Sequence, residues 1–118
     1  METRELLEAA ARAAGIEIVG YADRLLVLPN HDGSCIVRHP SGGDVEWNPL
    51  ADDGDALRLA IDLRMQIDIS IDGCRIYLST SEKPIAGCSY SEVRDLYAAT
   101  RLAIVRAAAA IDAQRRET

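Results

Sequence analysis

The chain has 118 residues, 13 basic and 19 acidic side chains for a net charge of −6, 48% hydrophobic and 27% charged residues. That is the composition of one ordinary globular domain over residues 1–118, and no stretch approaches the roughly 20 apolar residues of a membrane-crossing helix. Scattered arginines under a negative total disfavour non-specific nucleic-acid binding, and Cys35, Cys74 and Cys88 are an odd set without regular spacing, as expected of reduced thiols in a cytoplasmic protein.

The opening Met1–Glu5 is charged in both signs and predicts no export signal. Thr3 to Ala14 is rich in Ala, Leu, Glu and Arg and predicts a first helix, with Thr3 placed to cap it, a stripe of Leu6, Leu7, Ala10 and Ala14, and Gly15 as its stop. Ile16, Ile18 and Val19, then Leu25 to Leu28, predict strands, Pro29 to Gly33 a turn, and Ser34 to Arg38 the returning strand. Pro40 to Asp44 reads as a loop before Val45-Glu46-Trp47, so two to four strands precede Asn48.

Asp52, Asp53 and Asp55 stand ahead of Ala56 to Arg64, a second helix whose free N–H groups the carboxylates can satisfy. Ile67, Ile69 and Ile71 alternate with polar residues, and Asp72-Gly73 is a strong hairpin signal. A two-residue turn there would oppose Ile71 to Cys74, Ile69 to Ile76 and Ile67 to Leu78. Ser79 to Ser89 reads as an irregular connection, and Ser91 as the cap of a third helix with a fraying tail from Gln114. Val93, Leu96, Tyr97, Thr100, Ile104, Ala107 and Ile111 trace one face of that helix, while Ala98, Leu102, Val105 and Ala109 cluster on the other side.

The expected class is α+β, a small antiparallel or mixed sheet flanked by three helices in the order α-β-β-α-β-β-α, an α/β/α sandwich. No internal repeat or linker divides it.

Candidate sites are few. His31, Cys35 and His39 have a four-residue step, but a strand would separate such positions by about 13 Å, too far for one metal ion. A Cys35 nucleophile beside either histidine has no surrounding motif, and a small buried thiol is the commoner role. Asp52, Asp53 and Asp55 are explained by a helix N-terminus without a cation, so no metal, cofactor or catalytic residue is expected. Trp47-Asn48-Pro49 reads as a strand-to-helix corner with Trp47 in the core. The strip of Ala98, Leu102, Val105 and Ala109 is either the seam of a homodimer or the bed of the first helix. Arg38, Arg75, Arg94 and Arg101 are the candidates for a phosphate-bearing ligand.

Two runs, Trp47-Asn48-Pro49-Leu50-Ala51-Asp52-Asp53-Gly54-Asp55-Ala56-Leu57-Arg58-Leu59-Ala60 and Ala99-Thr100-Arg101-Leu102-Ala103-Ile104-Val105-Arg106-Ala107-Ala108-Ala109, are similar to small phage and prophage proteins of unknown function. They resemble the phage α-β-α sandwich and NinX-like groups, which share an aromatic, a polar residue and Pro ahead of a helix, and a last helix with an Arg-x-Ala-Ile core. The resemblance implies an accessory protein in the cytoplasm of a bacterial host and brings no catalytic residues. The reading is a non-enzymatic protein-interaction module, a homodimer with a host or phage protein as partner. The alternative is a protein that binds a nucleotide signal of host defence.

Overall fold

A computed structural model describes residues 3–21, 35–38 and 42–117, which form an α+β fold with four helices and two three-stranded antiparallel sheets. Helix α1 (Thr3–Ala14) covers the predicted span, with Thr3 itself helical rather than the cap ahead of the helix. Its end satisfies two orphan carbonyls at once: the Ile16 N–H donates to Ala11 at 2.8 Å and the Gly15 N–H to Arg12 at 3.2 Å. That closure needs the left-handed backbone that Gly15 adopts at φ 71°.

The first sheet has the order β1 (Ile18–Tyr21), β2 (Cys35–Arg38), β3 (Asp44–Trp47), with Cys35 opposite both Tyr21 and Trp47. The expected strand Leu25–Leu28 and turn Pro29–Gly33 lie outside the described residues, as do His31 and His39. Trp47 and Pro49 are buried, so the corner is a core anchor as its composition predicts. Asn48 makes the bend: its Oδ1 accepts the Leu50 N–H at 3.1 Å, and its own N–H donates to Asp55 at 2.9 Å. Helix α2 (Asp53–Asp62) follows, with Asp52 as N-cap accepting the Asp55 N–H at 2.8 Å.

The second sheet has the order β4 (Met65–Ser70), β5 (Gly73–Leu78), β6 (Ala86–Ser89). The hairpin forms, but its register differs from the expected one. Cys74 faces Ile69 and Ile76 faces Ile67, which moves the two-residue turn back to Ile71 and Asp72. A type I′ turn at Asp72-Gly73 requires positive φ at both residues, and Asp72 has none. Gly73 is spent instead on a close approach: at φ 143° it lies opposite Ser89, and a Cβ there would stand 2.3 Å from the Cys88 carbonyl oxygen. The slip is two residues, so the isoleucines keep their face, and only Ile71 is expelled, 89% exposed in the turn.

Strand β6 lies within the stretch expected to be irregular, and the described strands pair as two sheets rather than one. The third helix also departs from expectation. Ser89, not Ser91, caps a single turn, α3 (Tyr90–Val93), which stops at Arg94 in the left-handed region at φ 53°. Helix α4 (Leu96–Glu117) then starts afresh, with Asp95 accepting the Tyr97 N–H at 3.0 Å, and it continues helical through the expected frayed tail.

Helix α4 is the spine of the fold, lying against α1, α2, α3, β5 and β6. One core cluster joins Leu7 of α1, Val37 and Trp47 of the first sheet, Leu59 of α2, Ile76 of β5 and Val105 of α4. Val105 is 0% and Ala109 7% exposed, with Ala98 and Leu102 half-buried. Asp112 falls three residues beyond Ala109 and seven beyond Val105, hence on the same helix side, and it pairs with Arg12 of α1 at 3.1 Å. The strip proposed as a dimer seam is therefore covered at Val105 and Ala109 inside the chain, with α1 as its cover. No described helix is long and apolar enough to cross a membrane.

Candidate functional site: an apolar cleft between α2, β4 and α4

The covering of the second sheet is incomplete. Helix α4 lies over β5 and β6, and α2 meets β4 only lightly, so the β4 side of the inner face stays open. The gap is a cleft of about 470 Å³ with Ile67 and Ile69 on its floor, Ala56 and Leu57 on the α2 wall, and Tyr97, Thr100 and Ile104 on the α4 wall.

Each wall has a sequence reason. In α2, Ala56, Leu59 and Ala60 form the buried side, which leaves Leu57 and Ile61, one turn apart, on the outward flank. At the other wall the break at Arg94 restarts the chain, and the Asp95 bond to the Tyr97 N–H sets Leu96 and Tyr97 as the first residues of α4. Leu57 is 55%, Ile61 61%, Ile69 54% and Tyr97 73% exposed. Large apolar side chains exposed singly are ordinary; Leu57, Ile69 and Tyr97 line one cleft, and Ile61 lies one turn along α2 from Leu57.

Arg101 fixes the two helical walls to each other. Its Nε donates to the Leu50 carbonyl at 2.9 Å and its Nη1 to Asp53 at 2.6 Å, so α4 holds the N-terminus of α2. The remaining acidic residues there are equally occupied. Asp52 caps the helix, and Asp55 accepts both the Asn48 N–H at 2.9 Å and the Arg58 guanidinium at 2.7 Å. These carboxylates are structural, and among the described residues no group of His, Cys, Asp or Glu is arranged to hold a metal ion.

The four candidate arginines do not converge. Arg38 ends β2, Arg75 stands on β5, Arg94 lies between α3 and α4, and Arg101 is used as above. Arg75 lines a separate cleft of about 390 Å³ beside β5 and β6, and neither cleft includes Arg38 or Arg94. Cys35 is fully buried, and burial, reinforced by the Glu8 charge, pushes its thiol up to about 11. At neutral pH it is a protonated core side chain, and a nucleophile needs the thiolate.

Leu57, Ile69 and Tyr97 are the site residues that sequence reasoning passed over, with Ile61 one turn along from Leu57. A signal was present in α2, where Leu57 and Ile61 form a second apolar pair off the stripe of Ala56, Leu59, Ala60 and Leu63. Tyr97, expected on one apolar face of the last helix with Leu96, Thr100 and Ile104, stands 73% exposed at the cleft's wall. No family model, curated protein or solved structure matches the chain.

Proposed function

We propose that the chain is a non-enzymatic protein-interaction module whose partner docks in the cleft between α2, β4 and α4. The observation that carries this reading is the set of large apolar side chains, Leu57, Ile69 and Tyr97, exposed around one opening with Ile61 beside them. Side chains of this size held outside the core on rigid helices and a strand are what a partner's side chains bury against. Self-association through α4, expected from sequence, has lost Val105 and Ala109 to the core, so the cleft takes its place as the docking surface. The phage or prophage setting in a host cytoplasm rests on the likeness of residues 47–60 and 99–109 to such proteins and is proposed on that basis.

The test is a capture experiment from bacterial lysate with wild type and the variant Leu57→Asn/Ile69→Gln/Tyr97→Ala as paired baits. All three positions are more than half exposed, so the variant is expected to melt with the wild type. Proteins retained by the wild type and lost by the variant are the expected result. Identical retention by the two baits refutes the cleft as the docking site.

A further inference from the structure

We infer that the occupant of the cleft is an amphipathic helix of a different protein, with an apolar stripe flanked by lysines or arginines. This rests on the cleft being a docking site and adds the shape and charge of what docks there.

The shape follows from the layers. The inner face of the second sheet is covered by helices, α4 over β5 and β6 and α2 at the margin of β4, and the cleft is the place between them where that layer is missing. Its floor is the apolar pair Ile67 and Ile69, and both walls are helical. A further helix laid in the gap continues the layer and presents side chains at i, i+3, i+4 and i+7 to the floor and walls.

The charge follows from the rim. The lining holds one acidic residue, Asp53, and one basic residue, Arg101, with Arg101 mostly buried and already bonded to Leu50 and Asp53. Among the residues next in the chain to the lining, Asp52, Asp55, Asp68 and Asp95 are acidic and only Arg58 is basic, and Arg58 pairs with Asp55 and Asp52. Asp68 points to the other sheet face, opposite Arg75. That leaves Asp52, Asp53, Asp55 and Asp95 against Arg58 and Arg101, a surplus of two carboxylates beside an apolar floor after the ion pairs are counted, complementary to a basic partner. The same excess argues against a second copy. A symmetric dimer sets the patch against itself and so brings two copies of the same carboxylate surplus together, in a protein of net charge −6.

The experiment sorts a yeast-displayed random peptide library, about 16 residues long to allow four helical turns, for binding to the wild type and against Leu57→Asn/Tyr97→Ala. Peptides with apolar residues at helical spacing and an excess of Lys and Arg are expected. One such peptide, made synthetically, should bind about tenfold more weakly to Ile69→Gln, and more weakly again between about 50 and 300 mM salt. Enrichment of helical peptides that are neutral or acidic overturns the basic partner and leaves the docking site standing. Enrichment of an alternating, strand-like period overturns the helix in favour of pairing along β4. If sedimentation shows a wild-type dimer that Leu57→Asn/Tyr97→Ala breaks, the occupant is a second copy and this inference fails, while the docking site again stands. No peptide that separates wild type from variant overturns the inference and the docking site together.

Discussion

Arg106 reaches Glu92 fourteen residues earlier, with Nη2 3.0 Å from Oε1, and Nη1 of the same guanidinium donates to the Gly87 carbonyl at 3.1 Å. One side chain of α4 thereby holds both β6 and α3. Glu92 is itself committed locally, since its Oε2 accepts the Ser89 N–H at 2.9 Å and so starts α3. The Arg106 hydrogen bond, followed by the Ser89 N–H, holds the Glu92 carboxyl down to about 2. A carboxyl lowered on folding stabilises the native state above its unfolded pKa, and that contribution is lost as pH falls from about 4.3 through 2. In an NMR titration the Glu92 midpoint is expected near 2 in the wild type and closer to the ordinary range in Arg106→Met. An unchanged midpoint in the variant would show that the pair does not form in solution.

Gly73 is the least replaceable glycine among those described. Alanine there combines a φ of 143° with a Cβ 2.3 Å from the Cys88 oxygen and 2.8 Å from the Ser89 Cα, so backbone must move and the β5–β6 seam opens. Gly73→Ala is expected to cost about 2–4 kcal/mol in chemical denaturation. Gly20→Ala is the control, because a Cβ there meets nothing within 4 Å among the described residues, and it should stay within about 1 kcal/mol of wild type. Equal stability of the two variants would contradict the close strand approach.

The contrast between these glycines shows what a single chain discloses. Gly15 ends α1 where expected because a helix stop is local, settled by bonds to Ala11 and Arg12. Asp52 and Trp47 were legible for the same reason, as a cap and a corner beside their own element. Gly73 was misassigned because its role is set by β6, a strand of Ala86-Gly87-Cys88-Ser89 that has almost no intrinsic strand preference and exists because β5 pairs with it. The apolar residues of the last helix fall on two sides, but Val93 belongs to α3 and Tyr97 is exposed, since pattern alone does not say where a helix restarts or what covers a face. The cleft was missed on the same ground: its parts come from α2, β4 and α4, and a gap in a layer is a property of packing.

Cys35 offers a direct check of the first sheet. It is fully buried opposite Tyr21 and Trp47, with its thiol pushed up to about 11 chiefly by burial. Burial raises the Cys74 and Cys88 thiols as well. Iodoacetamide at pH 8 is expected to leave all three unlabelled in native protein and to label all three in guanidinium, counted by mass spectrometry. The linkage has the opposite sense from Glu92. A raised thiol stabilises the native state below its unfolded pKa, and for Cys35 that contribution fades as pH rises from about 8.5 towards 11. Rapid native labelling of one thiol would mean that its strand opens far more readily than the packing implies.

Asp112 is the one buried charged residue among those described, and it decides how firmly α1 sits on α4. Its Oδ2 accepts Nε of Arg12 at 3.2 Å, and Arg116, one turn along, comes no nearer than 3.9 Å. Replacing Arg12 by Met leaves the carboxylate buried with the weaker partner alone. About half of the Arg12 side chain is in water, which screens the pair, so the expected cost is about 1–2 kcal/mol, below that of breaking a fully buried pair. The double variant Arg12→Met/Asp112→Leu removes the stranded charge and should recover most of the loss. Since α1 covers Val105 and Ala109, loosening it exposes an apolar strip, and the single variant should bind more of a hydrophobic dye than either wild type or the double variant. Equal stability of all three proteins would mean that apolar packing alone seats α1, and Arg12 would then be a surface residue with no structural duty.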